Sequence, residues 1–329
     1  MAGDAPGTPG PLAAWVRRHD VQLSEVVWAA AMLIWFVLIG IAWVARDVPE
    51  APKQFLVNAA CVAAVLVLRP FMLTAKGGIL RLLRWWYPVL FYGLLFMETG
   101  PLVPALHPRD FDRELAAIDR AILGVDPTVW LQRWHHPLLS EYLQLCYASY
   151  YFLPLAAGAQ LVRRHGTRPL TEGLSVISLA FYGSYLCYFL VPSIGPRFTI
   201  PHDFPLQGLW TFDAVHHFLA GAEGRMHDCF PSGHTAITII ALMYAWRAHR
   251  PTFFALLPIG LGLIFSTVYL RYHYVIDLIA ALPLVALTFG VGLPMVRLWN
   301  RWLGIGGGGA AELEEGAAAR PAEAGATRG

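Results

Sequence analysis

The run VVWAAAMLIWFVLIGIAWVA, residues 26–45, contains no charged side chain. A helix needs about 20 apolar residues to cross the hydrocarbon core of a bilayer, so this run is long enough to span a membrane. Further apolar runs occupy residues 55–73, 85–97, 138–162, 172–192, 234–248, 253–270 and 274–296. The runs at 85–97 and 234–248 are short and need flanking residues to complete a span. We therefore predict an all-α, polytopic membrane bundle of about eight transmembrane helices.

The composition also indicates a membrane protein. Of the 329 residues, 57% are hydrophobic and only 14% are charged. A soluble domain of this size carries about 25% charged residues to cover its surface. The formal net charge of +2 is too small to indicate a nucleic-acid partner. We expect the lipid bilayer to be the principal environment of the chain.

Basic residues in the short connections predict the orientation. If the N-terminus is cytoplasmic, every strongly basic connection falls on one side of the eight spans, as the positive-inside rule requires. The residues concerned are Arg17, Arg18, Lys76, Arg81, Arg84, Arg163, Arg164, Arg168, Arg247, Arg250, Arg297 and Arg301. We expect both termini in the cytoplasm and the longer loops at the extracytoplasmic face.

Three segments outside the apolar runs differ in composition. Residues 1–21 begin with a Gly/Pro-rich stretch and are expected to be flexible, and residues 304–329, rich in Gly, Ala and Glu, are expected to be disordered. Between them, residues 111–134 place Leu115 and Ile118 at helical spacing among charged residues. This pattern predicts an amphipathic helix on the outer membrane interface.

The motif CFPSGHTA, residues 229–236, precedes the sixth apolar run. Pro231 and Ser232 are typical of a helix start, with Ser232 as the N-cap. The free N–H groups of a helix start bind phosphate, and Gly233 lets an anion approach the backbone. His234 then lies in the first turn, beside the bound phosphate. A capped helix with an interfacial histidine fits the motif equally well.

The motif STVYLRYHYVID, residues 266–277, enters the eighth apolar run. His273 and Asp277 are four residues apart, which places them one turn apart on one helix face. Asp277 lies in an otherwise apolar stretch, where an ionisable residue indicates function. A carboxylate on one ring nitrogen of a histidine fixes the tautomer and frees the other nitrogen to attack. A structural His–Asp bond that ties two helices is the alternative.

The motif PSIGPR, residues 192–197, follows the fifth apolar run. The guanidinium of Arg197 suits phosphate oxygens, although an interfacial anchor is the commoner role for such an arginine. In the predicted topology the fifth run ends, the sixth begins and the seventh meets the eighth at one membrane face. The residues that converge there are Arg197, His234, Arg271, His273 and Asp277.

These motifs together resemble a known family. The order of motifs is similar to that of the type-2 phosphatidic acid phosphatase superfamily of membrane lipid phosphatases and phosphotransferases. It consists of a basic loop residue, then PSGH at residues 231–234, then H-x-x-x-D at residues 273–277. The run STVYLRYHYVIDLIA looks most like the inositol phosphorylceramide synthase (inositolphosphotransferase) branch. The resemblance implies a six-helix catalytic core within residues 85–303, preceded by two additional transmembrane helices within residues 22–84.

The resemblance also implies a role for each motif residue. His273 attacks phosphorus and forms a phosphohistidine, Asp277 orients His273, and His234 protonates the leaving group. Ser232 and the backbone of Gly233 hold phosphate oxygens. The family uses no metal and no cofactor, and the sequence contains no ligand cluster that demands a metal.

Two positions depart from the phosphatase pattern of that family. Leu190 and Thr267 stand where the pattern has a lysine and an arginine. Arg271 lies one turn beyond Thr267 and replaces the missing arginine if this segment is helical. We therefore expect Arg197 and Arg271 to bind phosphate, and the departures favour the synthase branch.

Three functions stay open from the sequence. The preferred one is a phosphotransferase that takes a phosphoryl or phospho-head group from a lipid phosphoester and passes it to an alcohol. The second is a lipid phosphate phosphatase, in which water is the acceptor. The third is a non-catalytic transporter, which predicts ionisable residues along several spans, whereas those of this chain cluster at one end.

Overall fold

The computed structural model describes residues 10–223 and 226–305, and within them the chain forms helices and turns without a β-strand. This confirms the predicted all-α class. The helices are α1 (Pro11–Arg18), α2 (Leu23–Arg46), α3 (Ala51–Thr74), α4 (Gly78–Leu106), α5 (Asp112–Leu123), α6 (Pro127–Trp130), α7 (Pro137–Ala148), α8 (Leu153–His165), α9 (Thr167–Leu190), α10 (Pro196–Thr199), α11 (Phe212–Glu223), α12 (Gly233–Ala248), α13 (Arg250–Tyr269) and α14 (Val275–Trp302). Residues 1–9 and 306–329, on which the flexible segment and the disordered tail were partly predicted, lie outside the described residues.

Six of these helices are long and apolar enough to cross a membrane. They are α2, α3, α4, α9, α13 and α14. The successive helices α7 and α8 add a seventh span if the pair counts as one, with a bend of 51° between its halves. The sixth predicted span, residues 234–248, corresponds to α12, whose 16 residues reach only about 24 Å, short of the roughly 30 Å hydrocarbon core. A polytopic bundle is confirmed, and in the described residues six or seven of the eight predicted spans are long and apolar enough to cross a membrane.

The bend between α7 and α8 divides what the sequence predicts as one span. A 3₁₀ turn, Ser149–Tyr151, ends α7, and the hydroxyl of Ser149 donates to the carbonyl of Cys146 at 2.6 Å. Pro154 then occupies the first turn of α8. Proline has no N–H and cannot continue the ladder of the preceding helix, so the chain changes direction here.

The two N-terminal spans pack on the remaining bundle. Trp35 of α2 is fully buried and meets the rings of Tyr185 and Phe189 on α9 edge-on. At the other end of α2, the carboxylate of Glu25 accepts hydrogen bonds from Arg69 of α3 and Tyr87 of α4. These buried polar and aromatic contacts join α2 and α3 to the helices that follow.

Short helices and loops cover one end of the bundle. Glu141, near the start of α7, accepts backbone N–H bonds from Leu209, Trp210, Thr211 and Phe212 at 2.8 to 3.2 Å. These bonds hold the start of α11 against the bundle. The amphipathic helix α5 belongs to the same cover, with Ile118 and Ile122 exposed and Asp112 and Asp119 buried. Its helical form agrees with the sequence pattern, and its place on the membrane interface stays a prediction.

Candidate active site

The start of α12 is built as its sequence motif predicts. The hydroxyl of Ser232 accepts the N–H of Thr235 at 3.2 Å and so caps the helix, and Gly233 and His234 form its first turn. The N–H of Ser232 donates to the backbone carbonyl of Asp277 at 3.0 Å. The capped helix start is thereby fixed directly against α14.

His273 and Asp277 contact each other, but not through one continuous helix. Nδ1 of His273 lies 3.2 Å from Oδ2 of Asp277, and the same oxygen accepts the N–H of Tyr274 at 2.9 Å. Because α14 begins only at Val275, Asp277 is in its first turn and His273 precedes the cap. The expectation of a shared helix face is therefore wrong, while the predicted contact is present. Both side chains are buried, at 4% and 0% exposure.

The two histidines face each other across a small cavity of about 30 Å³. Their ring centres are 5.7 Å apart. The ring of His234 packs against Tyr147 and Tyr150, with centre distances of 4.6 and 4.2 Å. The remaining lining of the cavity includes Arg197, Asp228, Cys229 and Tyr272.

Arg197 reaches this small cavity from the segment after α9, called here the Arg197 loop, which includes the single turn of α10. Its guanidinium carbon lies 5.7 Å from the ring centre of Tyr272. Gly195, two residues earlier, has a φ of 93°. A Cβ atom there would lie 2.7 Å from both the carbonyl oxygen of Tyr272 and Sγ of Cys229. Glycine is therefore required where this loop passes the other two motifs.

Arg271 lies elsewhere, which corrects the expectation that it joins the other motif residues. Arg271 lies in the turn between α13 and α14 with a φ of 69°. The segment is therefore not helical, and Arg271 does not lie one helical turn beyond Thr267, as its predicted role requires. The guanidinium donates to the carbonyl of Phe204 at 2.8 Å and to Oε1 of Gln132 at 3.4 Å. Arg271 is not among the described residues that line the small cavity. Its contacts hold the covering loops instead.

A second, larger cavity of about 280 Å³ adjoins the small one. It runs between α4, α8, α9 and α12 and is lined chiefly by apolar and aromatic side chains. Among the residues that the structure describes, Asp228 and His234 are the two that line both cavities. Burial raises the pKa of the Asp228 carboxyl above its ordinary value, against the opposing effect of nearby His273. The arrangement joins a long apolar space to a small polar one at His234.

Three acidic residues at this end were not predicted from the sequence. Asp228 precedes the CFPSGH motif, but a single acid in a polar loop carries no signal of its own. Asp112 and Asp119 bind the backbone of the Arg197 loop and of the α14 start. Their spacing of seven residues on an amphipathic helix placed them on one face, and nothing in the pattern showed that this face is buried.

Cys229, His273 and Asp277 form the group of possible metal ligands found in the described part of the chain. Their ligand atoms lie within 4.8 Å of one another. Two of the three already bind each other through Nδ1 of His273 and Oδ2 of Asp277, and the thiol of Cys229 donates to the carbonyl of Tyr272 at 3.2 Å. Oδ1 of Asp277 is buried and has no hydrogen-bond partner in the described part of the chain.

Comparison with known proteins defines the class. The family model of the PAP2 superfamily matches residues 113–291, more than half of the chain, so the chain belongs to this superfamily. The six long apolar helices indicate an integral membrane protein.

A relative in Dictyostelium discoideum is named a PA-phosphatase related-family protein. It is 27% identical over 168 residues, which cover 44% of this chain and 30% of the relative. The chain therefore spans less than a third of the length of that relative. No solved structure matches the chain significantly.

Proposed function

We propose that this protein is a membrane phosphotransferase that takes a phosphoryl or phospho-head group from a lipid phosphoester and passes it to an alcohol. The observation that carries the proposal is the buried His273–Asp277 pair facing His234 across a cavity that also holds Arg197. A nucleophile, its orienting acid, a second proton-transfer group and a guanidinium are the parts that phosphoryl transfer requires.

In the first half-reaction, Nε2 of His273 attacks phosphorus and the bond from phosphorus to the lipid oxygen breaks. Asp277 holds the proton on Nδ1, which leaves the Nε2 lone pair free. His234, protonated, gives its proton to the departing oxygen. Arg197, the hydroxyl of Ser232 and the N–H groups of the first turn of α12, including Gly233, bind the phosphate oxygens.

In the second half-reaction, neutral His234 removes the proton of an acceptor hydroxyl. The acceptor oxygen attacks phosphorus, the phosphorus–nitrogen bond breaks and His273 is regenerated. No step needs a metal or another cofactor.

The large cavity supports a lipid as the donor. Its apolar lining suits a hydrocarbon chain, and it meets the small cavity at His234, where the leaving oxygen must lie. A lipid whose chain fills this space brings its phosphoester to the two histidines.

The low exposure of His273 supports an alcohol as the acceptor. His273 is nearly inaccessible, and Glu141 and Arg271 bind the covering loops through backbone groups. His216 of α11 lies over the site, with Nδ1 3.3 Å from the hydroxyl of Tyr272. Shielding of His273 from bulk solvent favours transfer over hydrolysis, because water is a competing acceptor. We further propose that the protein belongs to the inositol phosphorylceramide synthase branch, because residues 266–280 resemble the corresponding motif of that branch.

The alternative is a lipid phosphate phosphatase with water as the acceptor. The name of the Dictyostelium relative favours it, because that protein is called PA-phosphatase related. Both functions share the first half-reaction and differ only in the acceptor.

We also propose that the site faces away from the cytoplasm. At the opposite helix ends lie Arg163 and Arg164 of α8, Arg247 of α12 and Arg301 of α14. Basic residues collect on the cytoplasmic side of membrane proteins. We propose that residues 85–303 form the catalytic core and that residues 22–84 are an N-terminal addition to it.

The experiment uses the purified full chain in lipid nanodiscs with a panel of lipid phosphoesters, and measures free phosphate and transferred product separately. We expect a transferred product that depends on an added alcohol. Steady phosphate release without an alcohol would choose the phosphatase. His273→Ala should abolish both products, and full activity of that variant would reject the mechanism.

A further inference from the structure

We infer that Asp112 and Asp119 of α5 are positioning residues that hold the Arg197 loop and the His273–Asp277 segment at a fixed separation. The inference rests on the proposed function, in which these two segments form the phosphoryl-transfer site. Neither aspartate lines the small cavity among the described residues, so each acts through the backbone it binds.

Asp112 binds the loop that carries Arg197. Its Oδ2 accepts the N–H of Ile194 at 3.0 Å and its Oδ1 accepts the N–H of Gly195 at 2.8 Å. Oδ1 also accepts the hydroxyl of Tyr274 at 2.9 Å. This single buried carboxylate therefore touches both the Arg197 loop and the residue that follows His273.

Asp119 binds the start of α14. Its two oxygens accept the N–H groups of Val275 and Ile276, each at 2.8 Å. These are among the first N–H groups of the helix, which have no partner within the helix itself. A carboxylate is favoured there because the helix start carries partial positive charge. The two N–H groups lie between His273 and Asp277, so the contact fixes the backbone that carries both.

The length of α5 sets the distance between the two contacts. Asp112 and Asp119 are seven residues apart, or two turns, which places them on one face about 10 Å apart along the helix. Both are buried, at 6% and 1% exposure. A rigid two-turn segment thus links the guanidinium loop to the nucleophile.

This arrangement matters for rate because phosphoryl transfer depends on alignment. A displacement of about 1 Å from a change remote from the chemistry can lower a rate about 100-fold. Asparagine at either position keeps the size of the side chain, but it replaces one of the two accepting oxygens by an NH₂ group, so the two backbone N–H bonds, which go to different oxygens, cannot both keep their present geometry. The NH₂ group then faces a backbone donor, and the segment shifts.

The test compares Asp112→Asn and Asp119→Asn with Glu114→Gln in the full chain in nanodiscs. Glu114 lies on the same helix and pairs with exposed Arg109, so its substitution removes a carboxylate without touching either motif. We measure kcat and KM for the lipid substrate that the wild type turns over, together with thermal stability. We expect kcat to fall about 100-fold in both aspartate variants with KM within about threefold, and wild-type values in Glu114→Gln.

A second variant separates positioning from loss of fold. Val275→Pro removes the N–H that Asp119 accepts and leaves the carboxylate in place. Position 275 is the first residue of α14, where proline is well tolerated because its missing N–H has no partner within the helix. We expect a lower kcat in the folded protein, with a melting temperature that falls by no more than the loss of one hydrogen bond explains.

The inference is overturned if the aspartate variants keep the kcat of Glu114→Gln, or if kcat falls only as the folded fraction falls. It is also overturned if Val275→Pro keeps wild-type kcat. Activity in His273→Ala would instead reject the proposed function, so the two failures are distinguishable.

Discussion

Replacing Asp277 by asparagine tests how His273 is made nucleophilic. Oδ2 of Asp277 lies 3.2 Å from Nδ1 of His273 and accepts the N–H of Tyr274 at 2.9 Å. In the asparagine variant the oxygen can satisfy Tyr274 while the NH₂ group turns towards Nδ1. That donor stabilises the tautomer with its proton on Nε2, which occupies the attacking lone pair.

The expected loss in kcat is about 10³- to 10⁴-fold, the range typical when the acid that orients a catalytic histidine is replaced by its amide. This corresponds to about 4 to 5.5 kcal/mol of transition-state stabilisation, at 1.36 kcal/mol for each tenfold change. The fold should survive, because the bond from the Ser232 N–H goes to the backbone carbonyl of Asp277, which the substitution leaves unchanged.

The assay is single-turnover formation of phosphoenzyme from a labelled lipid phosphoester, with melting temperature as the control for folding. We expect the rate of phosphoenzyme formation to fall with kcat, and substrate affinity to change by no more than a few fold. A kcat within about fivefold of wild type in a folded Asp277→Asn protein would refute the reasoning, because tautomer control would then contribute less than about 1 kcal/mol.

Three other substitutions test separate parts of the site. Arg197→Lys removes the guanidinium fork and should lower kcat/KM about 10- to 100-fold. Arg271→Lys should lower the melting temperature and leave kcat of the folded protein within a few fold of wild type. A larger loss of activity in Arg271→Lys than in Arg197→Lys would mean that Arg271 is the phosphate ligand. Gly195→Ala should cost at least about 1–2 kcal/mol of stability from its positive φ alone. It should also lower kcat, because the added Cβ would lie 2.7 Å from the carbonyl oxygen of Tyr272. Wild-type activity and melting temperature in this variant would contradict the close packing of the two loops. Burial and the charge of Arg271 lower the pKa of His202 to about 4. As pH falls, the unfolded chain therefore binds a proton near pH 6.5 before the folded protein does, and the stability associated with neutral His202 should be lost between pH 6.5 and 4. The melting temperature of His202→Gln should decline less than that of the wild type over this window, and parallel profiles would rule out His202 as the cause.

Much of the site follows from the sequence because its motifs are local. Ser232 caps α12 as its neighbours indicate, and the His273–Asp277 contact is local in sequence, although it forms at the start of α14 and not along one helix face. The apolar runs fix the bundle, and with it the end at which Arg197, His234 and His273 meet. These features depend on short-range patterns and on the requirement that backbone polar groups pair within a membrane.

The remaining features depend on backbone geometry and on contacts distant in sequence. Arg271 points away because its turn has a positive φ, and nothing in the pattern YLRYHY marks that turn. Asp112 lies 162 residues before Tyr274, whose hydroxyl it accepts, so its role is invisible until the chain is folded. The span predicted at residues 138–162 breaks at a 3₁₀ turn before Pro154, and its apolar composition continues through the break.

The central claim is that His273 carries the phosphoryl group, and direct detection of that intermediate tests it. The variant His234→Ala lacks the group that activates the acceptor, so a substrate with a good leaving group, such as p-nitrophenyl phosphate, should load His273 and unload it slowly. Mass spectrometry of the rapidly quenched variant should find an acid-labile phosphate on His273 and none in the His234→Ala/His273→Ala double variant. A phosphate on another residue, or turnover of lipid phosphoester by His273→Ala alone, would contradict the account.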